Sequence, residues 1–151
     1  MNDRYLYRAK RTDNGEWIVG SLIQTSYLGS IRSWISSEQE DKARLREISS
    51  NQAVFRAFEV RNDTICRCTG LKDKNGNLIW ENDVVKGKYY DNGKSHRHIG
   101  QVKYIYEAYK VVGVKQYTGY HARLDGSYEV IGNIFDNKEL LESEDKNESN
   151  Y

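Results

Sequence analysis

Polar and apolar residues alternate along several short stretches of the chain, a pattern typical of strands with one buried face. In one stretch Val102, Tyr104 and Tyr106 fall on one face, opposite Lys103 and Glu107. Eight stretches are predicted as strands: Tyr5–Lys10, Trp17–Ile23, Ile31–Ile35, Ala53–Val60, Asp83–Lys88, Gly100–Glu107, Lys110–Gln116 and Tyr128–Ile134. Eight short strands predict a mainly β protein with barrel or sandwich geometry.

Four dipeptides in the sequence are typical of tight hairpin turns. They are Asn14-Gly15, Asn75-Gly76, Asn92-Gly93 and Asp125-Gly126. Asn, Asp and Gly tolerate the positive φ values that two-residue hairpin turns require. The dipeptides therefore predict antiparallel hairpins and strengthen the β assignment.

Two stretches favour short helices. The run Ser36–Glu40 offers a capping box, and the basic residues that follow suit the far end of a helix, so a short surface helix is predicted near residues 38–48. Asn137 can cap a single helical turn through Leu141. Residues 142–151 are polar and acidic, and they are predicted to form a flexible tail.

Length, charge and cysteine content exclude several classes of protein. A chain of 151 residues suits one domain, with or without a small appendage. Its 23 basic and 22 acidic residues nearly cancel, so a nucleic-acid site would have to be local. Cys66 and Cys68 are too few and too close for a disulfide framework, and reduced thiols are predicted. Without an apolar leader or a stretch of roughly 18 apolar residues, we expect a cytoplasmic protein with no membrane contact.

Two longer blocks of sequence carry a resemblance to a known family. The first runs from Thr69 to Gly76 and continues from Ile79 to Val85. The second runs from Glu129 to Phe135 and is followed by Asn137, Glu139, Leu140 and Leu141. A weaker third match joins residues 7–9 with residues 15–20. In these blocks the chain resembles the YopX-like proteins of phages and prophages.

The resemblance implies a fold and a habitat, but it implies no established activity. The implied fold is a small SH3-like barrel in the C-terminal half with an N-terminal β extension and one or two short helices. The expected division is an extension of residues 1–82, a barrel of residues 83–141 and the tail of residues 142–151.

The two blocks are rich in residues that make turns: Gly70, Asn75, Gly76, Asn82, Asp83 and Gly132. Asn82 stands where the family usually has Gly, and because Asn tolerates the left-handed region, a positive φ is predicted there. Asp83 is expected to accept backbone N–H bonds, since no His or carboxylate is spaced beside it for acid–base work. Gly132 is expected to mark a bulge or a close backbone approach.

Two arrangements in the sequence resemble a phosphate-binding loop and a metal site, but neither has the features that such a site needs. Residues 87–95 contain a Gly-Lys-Ser sequence, yet the loop is one residue too long to hold phosphate and carries two tyrosines where bare backbone is needed. His96 and His98 fall on one side of a strand and could gather a metal with His121 or Asp91, but their surroundings are basic. We therefore expect no catalytic residue, no metal and no cofactor.

The strongest local charge feature is the basic hairpin of residues 86–103. Its cations and rings could hold single-stranded nucleic acid, with rings stacking on bases and cations following phosphates. The residues concerned are Lys86, Lys88, Tyr89, Tyr90, Lys94, Arg97 and Lys103. The favoured alternative is that an exposed hairpin tip carries charge to stay soluble and to discourage edge pairing.

The favoured interpretation is a phage or prophage accessory protein that has no enzymatic activity and acts by binding. Many short strands leave edges to be covered, and a chain with 0 prolines lacks one usual blocker of edge pairing. A homo-oligomer is therefore predicted, and a host or phage protein is a further expected partner. Nucleic acid is the alternative partner.

Overall fold

The alternating stretches form strands because one face of each can be buried while the other stays in water. The computed structural model describes residues 3–37 and 57–142. Contacts divide the chain into two units, Met1–Cys68 and Thr69–Tyr151, which are called the first and second unit here. The helix predicted near residues 38–48 and the tail beyond residue 142 lie outside the described residues.

Strands dominate the described residues, which confirms the prediction of a mainly β protein. The strands form two antiparallel sheets. The helical content of the described residues consists of short 3-10 turns at Asp3–Tyr5, Asn62–Thr64, Lys115–Tyr117 and Lys138–Leu140. The last of these lies where a single turn after Asn137 was predicted, but the Asn137 side chain does not cap it, because its oxygen accepts the Asn133 N–H at 3.1 Å instead.

The first unit is built on one hairpin-rich sheet. Its strands are β1 Tyr7–Lys10, β2 Trp17–Tyr27, β3 Ser30–Ser36, β4 Phe58–Val60 and the start of β5 Cys66–Lys72, and they lie in the order β4-β3-β2-β1-β5. Ala9, Ile18, Ile35 and Val60 form its buried core. The second half of β5 belongs to the second unit, where β6 Leu78–Trp80 lies next to it.

The second unit contains a five-stranded sheet. Its strands are β7 Asp83–Asp91, β8 Lys94–Ile105, β9 Ala108–Gly113, β10 His121–Arg123 and β11 Glu129–Asn133. They lie in the order β10-β9-β8-β7-β11, and every neighbouring pair is antiparallel. One face of this sheet packs on a core of buried side chains from Ile79, Val85, Val102, Val111, Leu124 and Tyr128.

The predicted SH3-like barrel is not confirmed. In the described part of the chain the five-stranded sheet is open, with β10 at one edge and β11 at the other. Asp125-Gly126 was predicted to turn a hairpin, and this prediction is wrong: Gly126 does not have the positive φ that such a turn needs. The Asp125 carboxylate instead accepts the Ser127 N–H at 2.8 Å, in a loop that connects the opposite edges of the sheet.

The other three predicted hairpin turns are present. Gly15, Gly76 and Gly93 have φ of 73°, 85° and 77°. Two hairpins use residues that no turn pattern marks: Leu28-Gly29 joins β2 to β3, and Tyr106-Glu107 joins β8 to β9 with φ of 50° and 64°. The second pair was predicted as the end of a strand, so the strand prediction extended two residues too far.

The division between the units lies between Cys68 and Thr69, upstream of the boundary expected after residue 82. The reason is that most of the β5–β6 hairpin packs within the second unit. Ile79 of β6 belongs to the core of that unit, and the Asp73 carboxylate accepts the Val130 N–H of β11 at 3.0 Å.

Candidate functional site

Asp73 is the centre of the turn between β5 and β6. Its buried carboxylate accepts the N–H groups of Asn75 and Asn77, both at 2.9 Å, and that of Val130 at 3.0 Å. Burial acts to raise the pKa of Asp73, but these backbone bonds outweigh it and lower the pKa below its ordinary value. Asp73 thus joins the turn to the edge strand β11, which is a structural role.

The turn into β7 has the geometry predicted from the sequence. Asn82 has a φ of 69°, in the left-handed region. Its side-chain oxygen accepts the Gln101 amide at 2.9 Å, and the buried Asp83 carboxylate accepts the Trp80 N–H at 2.8 Å. Gly70, in β5, also has a positive φ, of 79°.

Gly132 lies at the bulge of β11, as expected. The register with β7 shifts between Val130 and Gly132. A Cβ at Gly132 would lie 2.5 Å from the Asn137 side-chain oxygen, which itself accepts the Asn133 N–H at 3.1 Å. Gly132 therefore permits a close approach, and the residue is structural.

His98 is fully buried and forms the centre of an aromatic cluster. The Tyr128 hydroxyl donates to its Nδ1 at 3.0 Å, and its Nε2–H donates to the Tyr120 carbonyl at 3.2 Å. Burial lowers the pKa of His98 below its ordinary value, against the opposing effect of the Tyr120 carbonyl, and burial raises the pKa of Tyr128 to about 12. Both groups are neutral at pH 7, and both ring nitrogens of His98 are occupied.

The histidines of the basic hairpin pack against an aromatic ring. His96 stacks on Tyr89 with centroids 5.1 Å apart, and His98 meets the edge of the same ring. Across residues 3–37 and 57–142, no group of three His, Cys, Asp or Glu side chains is placed to hold a metal ion. Both cysteine thiols are reduced and buried.

The β7–β8 register separates the residues of the basic hairpin onto two faces. Lys88 pairs with Arg97 and Tyr90 with Ser95 on the solvent face, whereas Tyr89 pairs with His96. Because alternate residues point to opposite faces, Tyr89 and Lys94 lie on the face away from Lys88 and Arg97. Tyr89 also stacks on Tyr120 at 4.9 Å, so its ring is already covered.

Two further cations join the solvent face from strands outside the hairpin. Lys103 of β8 pairs with Lys110 of β9, and Lys110 pairs in turn with Arg123 of β10. This row of three cations, the cationic row, crosses three adjacent strands. No sequence pattern marks Lys110 and Arg123 as partners of Lys103, because only the register of β9 and β10 brings them beside it.

The solvent face of the five-stranded sheet, called the basic face here, therefore carries six cations. They are Lys86, Lys88, Arg97, Lys103, Lys110 and Arg123. Among the described residues none of the six forms an ion pair. Glu129 lies opposite Lys86, but its carboxylate pairs with Lys74 at 3.3 Å.

A second candidate surface lies on the first unit, where the β2–β3 hairpin extends beyond its neighbours. β1 pairs with β2 through residues 17–20, and β4 pairs with β3 through residues 33–35. Residues 24–32 are all exposed and form a two-stranded ribbon, called the β2–β3 ribbon here. Tyr27 and Leu28 at its tip are 77% and 87% exposed.

The comparison with known families identifies the chain. A model of the family described as YopX protein matches residues 6–142. The chain belongs to the YopX protein family. The match spans both units, including the turns at Asp73, Asn82 and Gly132 and both candidate surfaces.

Other comparisons add little about a YopX-family chain. No curated protein matches it. A solved structure, protein EF1440 from Enterococcus faecalis, is similar at 22% identity over 90% of this chain and 96% of that one, with a TM-score of 0.39. In the part of the chain that the structure describes, no helix is both long and apolar enough to cross a membrane.

Proposed function

We propose that this protein is a non-enzymatic accessory protein of a phage or prophage that acts by self-association through the β2–β3 ribbon. The observation that carries the proposal is the outer edge of β2. Residues 21–27 continue past the end of β1, and among the described residues no strand pairs with that edge. Backbone N–H and C=O groups on such an edge are a template for a further strand.

The sequence of the ribbon lacks the usual protection against pairing. Strand edges are commonly blunted by charged residues, especially Lys, or by Pro. Residues 17–31 contain neither a charged residue nor a proline, although 30% of the whole chain is charged. The local absence of charge supports a role for this edge in contact with another strand.

Exposed apolar side chains at the end of the ribbon support the same role. Leu28 is in the turn, and Ile31, at 56% exposure, follows it in β3. A two-stranded hairpin is marginally stable on its own in water, and burial of these side chains against a partner would stabilise it.

The partner that fits best is a second copy of the chain. Antiparallel pairing of one β2 edge with the same edge of a second copy is compatible with a two-fold axis, so both edges are satisfied at once. A host or phage protein with an open strand edge is the other partner of this kind. The non-enzymatic assignment is supported by His98, whose ring nitrogens are both occupied within the core.

Sedimentation velocity over a range of concentrations tests this proposal. The wild-type chain is expected to sediment as a dimer, and Ser26→Lys is expected to shift it to the monomer because a lysine on a strand edge discourages pairing with a further strand. Gln116→Lys adds the same charge at an exposed position in the second unit and is expected to leave the dimer intact.

A second variant separates loss of contact from loss of folding. Leu28 has a φ of 47°, and Asn is favoured over Leu in such a turn. Leu28→Asn is therefore expected to stabilise the hairpin while weakening the dimer. A wild-type chain that is monomeric at every concentration, or variants that all dimerise equally, would exclude self-association through this ribbon.

A further inference from the structure

We infer that the basic face of the second unit binds single-stranded nucleic acid. Six cations share this face without an ion pair among the described residues, although the whole chain has a formal net charge of only +1. The charge is therefore concentrated locally. A polyanion is the ligand that complements it, because phosphates neutralise the cations and release counterions.

Edge protection does not account for the placement of the charges. Charges that discourage strand pairing belong at the edges of a sheet or at a hairpin tip. Lys103 and Lys110 instead lie on β8 and β9, which are interior strands. Like charges directly opposite each other on a sheet are unfavourable, and this sheet places three in one row. A ligand that neutralises the cationic row explains why this arrangement is tolerated.

The extent of the basic face suits a strand of several nucleotides. Lys88 and Arg97 lie near one end of β8, and the cationic row lies near the other. Arg97 and Lys103 are six positions apart in β8, which corresponds to about 20 Å along an antiparallel strand. Cations at both ends can hold phosphates that are several nucleotides apart in one strand.

Uncharged side chains on the same face favour unpaired bases over a duplex. Ile99, Gln101 and Val112 are partly exposed and lie between the two groups of cations. Tyr90, at 77% exposure, offers a ring for stacking beside Lys88 and Arg97. Bases can reach these side chains when they are unpaired, and stacking on aromatic rings is tolerant of sequence.

Fluorescence anisotropy with a labelled 20-nucleotide oligothymidine and oligouridine tests the inference. Binding is expected at low salt, with a steep fall in affinity as salt rises. Replacing the cationic row by Gln at Lys103, Lys110 and Arg123 is expected to weaken binding at least ten-fold. It is also expected to reduce the slope of log affinity against log salt by about 2, since each charge contributes about 0.7 for a single strand.

The matched control removes three other lysines from the same unit. Lys72, Lys94 and Lys138 are exposed and lie outside the basic face, so their replacement by Gln changes the net charge equally. This control is expected to leave the affinity within about two-fold. Tyr90→Ala is expected to lower affinity by about five-fold or more with an unchanged salt slope, because stacking does not involve counterions.

Three results would overturn the inference. The first is absence of binding to either oligonucleotide at low salt. The second is an equal loss of oligonucleotide affinity in the two triple variants, which would mean that binding depends on the net charge of the protein and not on the basic face. The third is tighter binding of a 20-base-pair duplex or of vesicles containing phosphatidylserine, which would identify a different polyanion. None of these results depends on the state of the β2–β3 ribbon, so this inference and the proposed self-association fail separately.

Discussion

Replacement of Tyr128 by Phe isolates the buried hydrogen bond at the centre of the second unit. Tyr128 is 1% exposed, its hydroxyl donates to His98 Nδ1 at 3.0 Å, and its ring packs on Gly87. Phe keeps the ring and removes the donor. His98 then has a buried acceptor with no partner, because its other nitrogen remains bonded to the Tyr120 carbonyl.

The expected cost is that of leaving one buried polar atom unsatisfied, about 1–3 kcal/mol. The apolar contribution of the ring is retained, so little is added by lost packing. A loss of this size corresponds to roughly 5- to 150-fold more frequent opening of the unit. Tyr128→Phe is therefore expected to destabilise the second unit without unfolding it at 25 °C.

Amide hydrogen exchange measures this change within the second unit itself. The slowest amides of β7 and β8 report the free energy of the full opening of this sheet. Tyr90→Phe is the control, because the Tyr90 side chain is 77% exposed and its hydroxyl forms no hydrogen bond among the described residues. Equal protection in the two variants, within about 0.5 kcal/mol, would refute the role assigned to the His98–Tyr128 bond.

Three further predictions concern pH, the turn into β7 and the basic face. Burial lowers the pKa of His98, so as the pH falls the unfolded chain takes up a proton on this residue before the folded chain does. The stability of the second unit should therefore be full above pH about 6.5 and fall as the pH drops below that value. An NMR titration midpoint of His98 at or above 6.5 would contradict this prediction. Asn82→Ala and Asn82→Gly both remove the bond from Gln101, but only Ala places a Cβ without a polar side chain in the left-handed region, so the thermal midpoint of Asn82→Ala should lie below that of Asn82→Gly. Lys103→Gln should stabilise the second unit by about 0.2–1 kcal/mol in urea unfolding while it weakens oligonucleotide binding, and a destabilised variant would refute the repulsion assigned to the cationic row.

Parts of the candidate sites were accessible from the sequence because their chemistry is local. Asn92-Gly93 turns the β7–β8 hairpin, as the dipeptide predicts, and this places Lys88 beside Arg97. Lys110 and Arg123 were not accessible, since each joins the basic face through pairing with another strand. Tyr89 was a candidate for nucleic-acid contact in the alternative prediction, whereas in the structure its ring stacks on Tyr120.

The sequence by itself determined the β class, three of the four predicted hairpin turns and the left-handed residue at the entry to β7. These features depend on side-chain alternation and on the φ values that Asn and Gly tolerate, both of which are properties of neighbouring residues. Residues such as Leu28 and Tyr106 adopt positive φ against their local preference, because the pairing of long strands on either side of the turn compensates for the local cost.

Tertiary structure alone decided the strand order, the open sheet and the content of the basic face. Strand order depends on contacts between residues far apart in the chain, such as the pairing of β11 with β7, and no local pattern encodes them. The pairing register of the strands then decides which side chains form the basic face, because a shift of one residue would move every side chain of a strand to the opposite face. For this reason the cations could be read from the sequence one by one, while the surface that they form together could not.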